Sequence, residues 1–393
     1  MKYIKYLLII ASSMLAFAAC SIDPAENTAT PAVDYVRPAK ASASDSLLSE
    51  ASMGSVVAII GENLSGVNEI WFNDRKASLN PVYITNTSIV VTVPGVMPEE
   101  VNDLITLKTK AGKSCTYPFS VIIPSPVIST IDNDWAPDGS EITITGNYFF
   151  GDASTVKVLF PGNVYGSISA VSTTSITCTV PEGALSGTIF VTSIYGKGRS
   201  EFTFHDKGVW FVDFENPSVW NTWSYGAYVN DSYSISGQYL LFDGTGGSWA
   251  WPNGNLCFYY SNPVQQPVVT EGDVADYALA FEYECDTWSD TPLLLLFTNE
   301  ANTFNVDSDD AQWHWTPYVN NGVYSTFTTN GKWLTKIVPL TEFNTDKEGK
   351  ATRKINSLSE LVNINGLFFG ANADGTDKTI KLRIDNLRII RIK

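Results

Sequence analysis

Nine of the eleven tryptophans in this 393-residue chain fall at or after Trp210. Six of the nine stand in close pairs: Trp220 with Trp223, Trp249 with Trp251, and Trp313 with Trp315. In Trp249-Ala250-Trp251 and Trp313-His314-Trp315 the indoles are two residues apart. An extended segment would put each pair on one face, roughly 6.5–7 Å apart. Flat sugar rings present weakly polarised C–H faces, which pack on aromatic rings through dispersion and C–H contacts. Coplanar indoles at that spacing suit two neighbouring pyranoses. Gly, Asn, Asp and Pro surround these pairs, as they do Trp220-Asn221-Thr222-Trp223, and place them in loops or at strand edges. Exposed aromatic clusters are costly unless they bind something. Asn221, Asn253, Asn255, Gln312 and His314 stand beside them to hydrogen-bond hydroxyls. The alternative for each indole is that it fills a core. Trp210 and Trp333, inside strand patterns, are expected there, and Trp288 is open.

Other chemistry lacks material. His205 and His314 are the only histidines, too few for a histidine metal site or a catalytic triad. His205 is expected to be exposed between domains. Asp307-Ser308-Asp309-Asp310 lacks the glycine and terminal glutamate of a calcium loop, and Asp374-Gly375-Thr376-Asp377 reads as a hairpin turn. Glu215 and Asp385 could share a calcium ion, but capping or solvent exposure is preferred. Cys257 and Cys285 could pair; small buried thiols on strands are the favoured reading. Neither a metal nor a cofactor is expected. A pair of carboxylates can be found in any acidic chain, yet no catalytic signature stands out. The net charge of −16 excludes nucleic acid as a partner, because polyanions are repelled.

These residues need elements to position them. Val56 to Asn63, Ile70-Trp71-Phe72 and Thr87 to Pro94 recur in the same order as Glu141 to Tyr148, Val158-Leu159-Phe160 and Thr174 to Pro181. Two copies of one module are expected, 32–124 and 125–207, built of short β-branched strands punctuated by Gly, Asn and Pro. Ile123-Pro124-Ser125-Pro126 reads as a stiff connector. Trp71 and Trp135 are expected in core or interface positions. From 208 to 393 strand patterns continue, with Ser357 to Val362 as one short turn. In Tyr277 to Cys285 the large apolar residues alternate with Ala and Glu. The expectation is an all-β chain with a jelly-roll-like sandwich at its end.

The modules resemble the IPT/TIG family of immunoglobulin-like β-sandwiches, on their Gly-Asn strand ends and Thr-Ser-Ile…Val-Pro strands. At the N-terminus, Lys2 and Lys5, an apolar run from Leu7 to Leu15, and Phe17-Ala18-Ala19-Cys20 resemble a lipoprotein signal peptide with its lipobox. That implies cleavage after residue 19, acylation of Cys20 and a flexible tether over 20–31. Anchor, repeats and an aromatic-rich final sandwich together resemble the surface glycan-binding lipoproteins of Bacteroides-type polysaccharide utilisation systems. The resemblance implies a non-catalytic polysaccharide binder on the outer face of the outer membrane. Its partners would be a TonB-dependent transporter and a SusD-like lipoprotein, and its ligand a plant β-glucan such as xyloglucan or mixed-linkage glucan. In the xyloglucan-binding members, loop position places platform aromatics at Trp220/Trp223 and Trp249/Trp251. An adhesin binding a protein or host matrix is the alternative, with a lipoprotein glycosidase third.

Overall fold

The computed structural model describes residues 28–43, 45–215, 220–222, 227–246, 258–260, 267–298, 311–351, 353–368 and 376–393. Among them there are strands and short 3-10 turns but no α-helix, and no helix is long and apolar enough to cross a membrane. The signal segment, Cys20 and Asp307 to Asp310 lie outside the described residues. The chain divides into two compact units, Met1–Pro124 and Ser125–Lys393.

The first unit is one immunoglobulin-like sandwich. Strands Ala32–Pro38, Val56–Glu62 and Ser88–Thr92 form one sheet; Arg75–Lys76, Val67–Phe72, Leu104–Thr109 and Ser114–Pro118 form the other. Val57, Ile59, Ile70, Phe72, Ile89 and Leu107 meet between them. The second unit opens with the repeat of this fold. Val127–Ile131, Glu141–Asn147, Ser175–Thr179 and Ser167–Val171 face Val164–Tyr165, Lys157–Phe160, Phe190–Ser193 and Gly196–Arg199.

The recurring glycine in both copies has a steric cause. A Cβ on Gly61 would lie 1.9 Å from the Ala32 carbonyl oxygen, and one on Gly146 1.9 Å from that of Val127. In each copy the neighbouring strand bulges at this point. The recurring Thr-Ser also has a local role. Ser88 and Ser175 each close a four-residue turn, bonded through their hydroxyls to Thr85 (2.9 Å) and Ser172 (2.7 Å).

The rest of the second unit is a larger antiparallel sandwich. One sheet runs Ala227–Val229, Tyr239–Gly246, Lys378–Arg391, Tyr277–Thr287, Leu334–Pro339, with Trp210–Val212 also paired to the long last strand. The other runs Trp220–Thr222, Phe258–Tyr260, Asn363–Phe368, Leu293–Thr298, Gln312–Trp315. Leu279, Phe281 and Cys285 point into the core between the sheets. Cys285 is a buried free thiol, which leaves no pairing with Cys257; Cys257 itself lies outside the described residues.

The opposite face of Tyr277–Thr287 is buried too. Ala278, Ala280, Glu282 and Glu284 are all 0% exposed. Arg388 holds Glu282 in a two-pronged contact at 2.8 and 2.9 Å, and also reaches Asp134 of the second module at 2.5 Å. The Thr335 hydroxyl lies 3.1 Å from Asp134 and 3.0 Å from Glu282, and the Thr335 amide donates to the Asp132 carbonyl at 2.8 Å. Trp135 stacks on Phe211 at 5.0 Å, with the Arg388 guanidinium 5.3 Å from its ring. The second module is therefore bonded to the outer face of the final sandwich. His205 lies in this junction rather than in solvent, stacked on Phe204 at 4.0 Å, with Nε2 3.1 Å from the Ala136 carbonyl. Burial lowers its pKa.

Candidate functional site

The strand Gln312–Trp315 is the edge strand of its sheet, where the surrounding residues place it. Its side-chain direction departs from expectation. Trp313 and Trp315 do share a face, stacked at 5.8 Å with 24° between planes, but that face turns inward. They are 9% and 6% exposed and pack edge-on or tilted against Phe281, Tyr283, Trp288 and Phe343. The Lys336 ammonium lies over the pair, 5.3 and 5.9 Å from the ring centres, and burial lowers its pKa. A sheet residue with period two can share a face with its neighbour and still have no face free. Trp313 and Trp315 are core residues, and the platform assignment for them is corrected. His314, on the opposite side of the strand, is held by the Lys347 carbonyl at 2.7 Å.

Trp220 begins the first strand of the five-stranded sheet, opposite Tyr260. Trp223, Trp249 and Trp251 lie outside the described residues, as do Asn253 and Asn255. Among the described residues, Thr222 and Phe258 are antiparallel partners on adjacent strands. One cross-strand row, Asn221, Tyr259, Asn365, Leu296 and Gln312, crosses all five strands. Leu296 and Gln312 in this row are fully buried.

Other tryptophans sort clearly. Trp288 is core at 0% exposure, its indole N–H donating to the Thr291 carbonyl at 2.9 Å. Trp333 is only half-buried; its N–H donates to the Tyr233 carbonyl at 2.8 Å. Tyr233, which no spacing singled out, is 48% exposed and lies over the Arg383 guanidinium at 4.0 Å. Its signal is weak because its partner lies far along the chain. Trp71 is flanked by Lys76 and Lys108 at 5.8 and 5.2 Å.

The buried carboxylates are structural. Glu282 is bonded to Arg388 and Glu284 to Arg383. Burial pushes Glu282 up to about 8 against the pull of Arg388. Of the two alternatives expected for Asp385, capping or solvent exposure, exposure does not hold: it is 0% exposed. Its carboxylate accepts from Ser236 (2.9 Å) and from the Asn386 amide (2.7 Å). Burial, with repulsion from Glu215 and Asp213, pushes it up to about 8. Among the described residues no group of three or more His, Cys, Asp or Glu could hold a metal ion.

Comparison with known proteins follows this division of the chain. Residues 204–391 match the xyloglucan-binding domain of surface glycan-binding protein B. Residues 45–121 and 126–206 match the IPT/TIG domain. The chain is similar to the crystal structure of surface glycan-binding protein PbSGBP-B from Prevotella bryantii: TM-score 0.75, 26% identity, covering 93% of this chain and 99% of that one. It also shares its fold with SGBP-B from a complex xyloglucan utilization locus in Bacteroides uniformis (TM-score 0.51, 16% identity, 93% and 100% covered). An IPT/TIG domain-containing protein of Bacteroides ovatus is 29% identical over 142 residues, 35% of this chain. The chain spans only 28% of that curated relative's length. In domain order and in fold, the chain is similar to the surface glycan-binding proteins: two sandwiches that match the IPT/TIG domain, followed by a domain that matches the SGBP-B xyloglucan-binding domain.

Proposed function

We propose that the protein is a non-catalytic surface lipoprotein that captures polysaccharide through its C-terminal sandwich. The observation that carries the reading is the match of that whole sandwich to a glycan-binding domain, joined to two IPT/TIG modules. The 26% identical Prevotella bryantii structure, similar over nearly its full length, is itself a surface glycan-binding protein. The ligand class we favour is a plant β-glucan, xyloglucan or mixed-linkage glucan.

The binding platform is assigned to Trp220, Trp223, Trp249 and Trp251. It is supported by the match of residues 204–391, which contain all four, to a xyloglucan-binding domain. Acylation at Cys20, an outer-membrane location facing the exterior, and delivery to a TonB-dependent transporter with a SusD-like partner complete the proposal. A binding rather than hydrolytic role fits the buried carboxylates, since Glu282 and Glu284 are committed to arginines inside the protein.

Affinity electrophoresis and calorimetry against a polysaccharide panel test the reading. Retention by β-glucan without release of reducing sugar is expected; absence of binding to every polymer would overturn it. Mass spectrometry of the membrane-extracted protein should find an acylated N-terminal cysteine at residue 20.

A further inference from the structure

A cleft of about 400 Å³ opens on the final sandwich between segments 267–274 and 356–359. Its floor is aliphatic: Val269, Val274 and Leu358, the first and last of them anchored in the core at 4% and 9% exposure. Its rim is polar, with Thr270, Asp273 and Asn356 on opposite walls and all three exposed.

The walls are built rather than loose. The Val268 amide donates to the Leu361 carbonyl at 2.7 Å and ties them together. The Tyr277 hydroxyl donates to the Glu271 carbonyl and pins one wall. Glu360 pins the other, accepting from the Asn356 amide at 3.1 Å and pairing with Arg353. The Ser357 and Ser359 hydroxyls lie 2.8 Å apart at the edge, where they can give or accept a bond.

An aliphatic floor beneath hydroxyl, amide and carboxylate groups matches a sugar ring, which has an apolar C–H face and an equatorial ring of hydroxyls. The volume lies within the range of small-ligand sites, and a preformed cleft loses little entropy on binding. Asp273 disfavours an anionic sugar. We propose that this cleft is a second carbohydrate site, taking a single neutral pyranose as a chain terminus or a branch. No tryptophan lines it, and the proposal rests on the glycan-binding reading. Without an aromatic floor its affinity is weak.

Saturation-transfer NMR on the mature protein tests it, with methyl β-glucoside and methyl α-xyloside as probes and methyl β-glucuronide as the charged control. Irradiating protein methyl resonances should saturate the neutral glycosides, through the valine and leucine floor, and leave the glucuronide unaffected. Thr270→Arg and Asn356→Arg, which fill the cleft from its exposed rim without adding an aromatic ring, should reduce the transfer several-fold. If an arginine variant fails to fold, Asn356→Ala should still weaken it measurably. Trp249→Ala/Trp251→Ala should leave it intact while abolishing polysaccharide retention.

Transfer unchanged in the cleft variants, transfer lost in the Trp249/Trp251 variant, or no transfer in the native protein each overturns the second site. None of these outcomes bears on polysaccharide retention, so failure of the broader reading shows separately in the electrophoresis.

Discussion

At Trp313 and Trp315 the same residue type and spacing that would make a sugar platform make a core instead. Each indole fills volume between the sheets, so Trp315→Ala should cost about 3–5 kcal/mol, as large-to-small changes at buried aromatics do. Thermal melting should show a lowered Tm with glycan affinity retained in the folded fraction. Trp249→Ala/Trp251→Ala should do the reverse, removing binding at unchanged Tm. Asp385 gives a pH signature of its own. Its folded pKa, about 8, lies above an unfolded value of roughly 3.9, so the folded state holds the extra proton between them. The stabilisation is complete below about pH 4 and is lost as pH rises through about 8. In buffer with chelator, Tm of the native protein should fall from about pH 6 to about pH 9, and Asp385→Asn should make that slope shallower, the remainder belonging to Glu282, which burial also pushes up to about 8. Asp213 and Glu215 are the acidic groups that face it; an unchanged slope in the variant would assign the effect elsewhere.

Strands of the two repeats depend on backbone approach at a single glycine each. Gly61→Ala or Gly146→Ala would push a methyl into a carbonyl oxygen at 1.9 Å, and the strand pairing must open to admit it. Either change should lower the Tm of its own module, by more than the ~1 kcal/mol of an ordinary glycine effect. Gly95→Ala, which meets nothing within 4 Å, should be neutral or slightly stabilising. That contrast explains what could be read from sequence. The repeat was visible because the constraint acts locally and twice, leaving Gly, Thr-Ser and Val-Pro in the same order. The alternation in Tyr277 to Cys285 was visible too, since period two follows from the backbone. Direction was not. Alternation says that Trp313 and Trp315 share a face, but the other sheet decides whether it is covered, through Phe281 and Trp288 on distant strands. Glu282 gave no sign of burial for the same reason: its neutralising partner Arg388 lies on the last strand and the covering residue Asp134 in another module.

Across the second unit, that three-residue network converts two sandwiches into one mechanical piece. Arg388, Glu282 and Asp134 are held away from water, with Glu282 pushed up to about 8 by burial, and the arginine is what makes the arrangement tolerable. Removing it strands two buried carboxylates, so Arg388→Ala should cost about 3–5 kcal/mol. Removing Asp134 leaves the Arg388–Glu282 pair intact and neutral, so Asp134→Ala should cost less, about 1.5–3 kcal/mol for the lost charged hydrogen bond. The two differ more sharply in cooperativity. Asp134 and Thr335 are the groups through which the module grips the sandwich, and neither lies in the core of either domain. In calorimetry the native second unit should therefore melt as one transition, and Asp134→Ala/Thr335→Val should split it into two, with the final sandwich close to its original Tm. A single transition in that double variant would mean that the stack of Trp135 on Phe211, with the Thr335 amide bond to the Asp132 carbonyl, suffices to hold the junction. Trp135→Ala added to the pair would then be the change that separates the domains, and glycan affinity should survive it if the final sandwich binds glycan on its own.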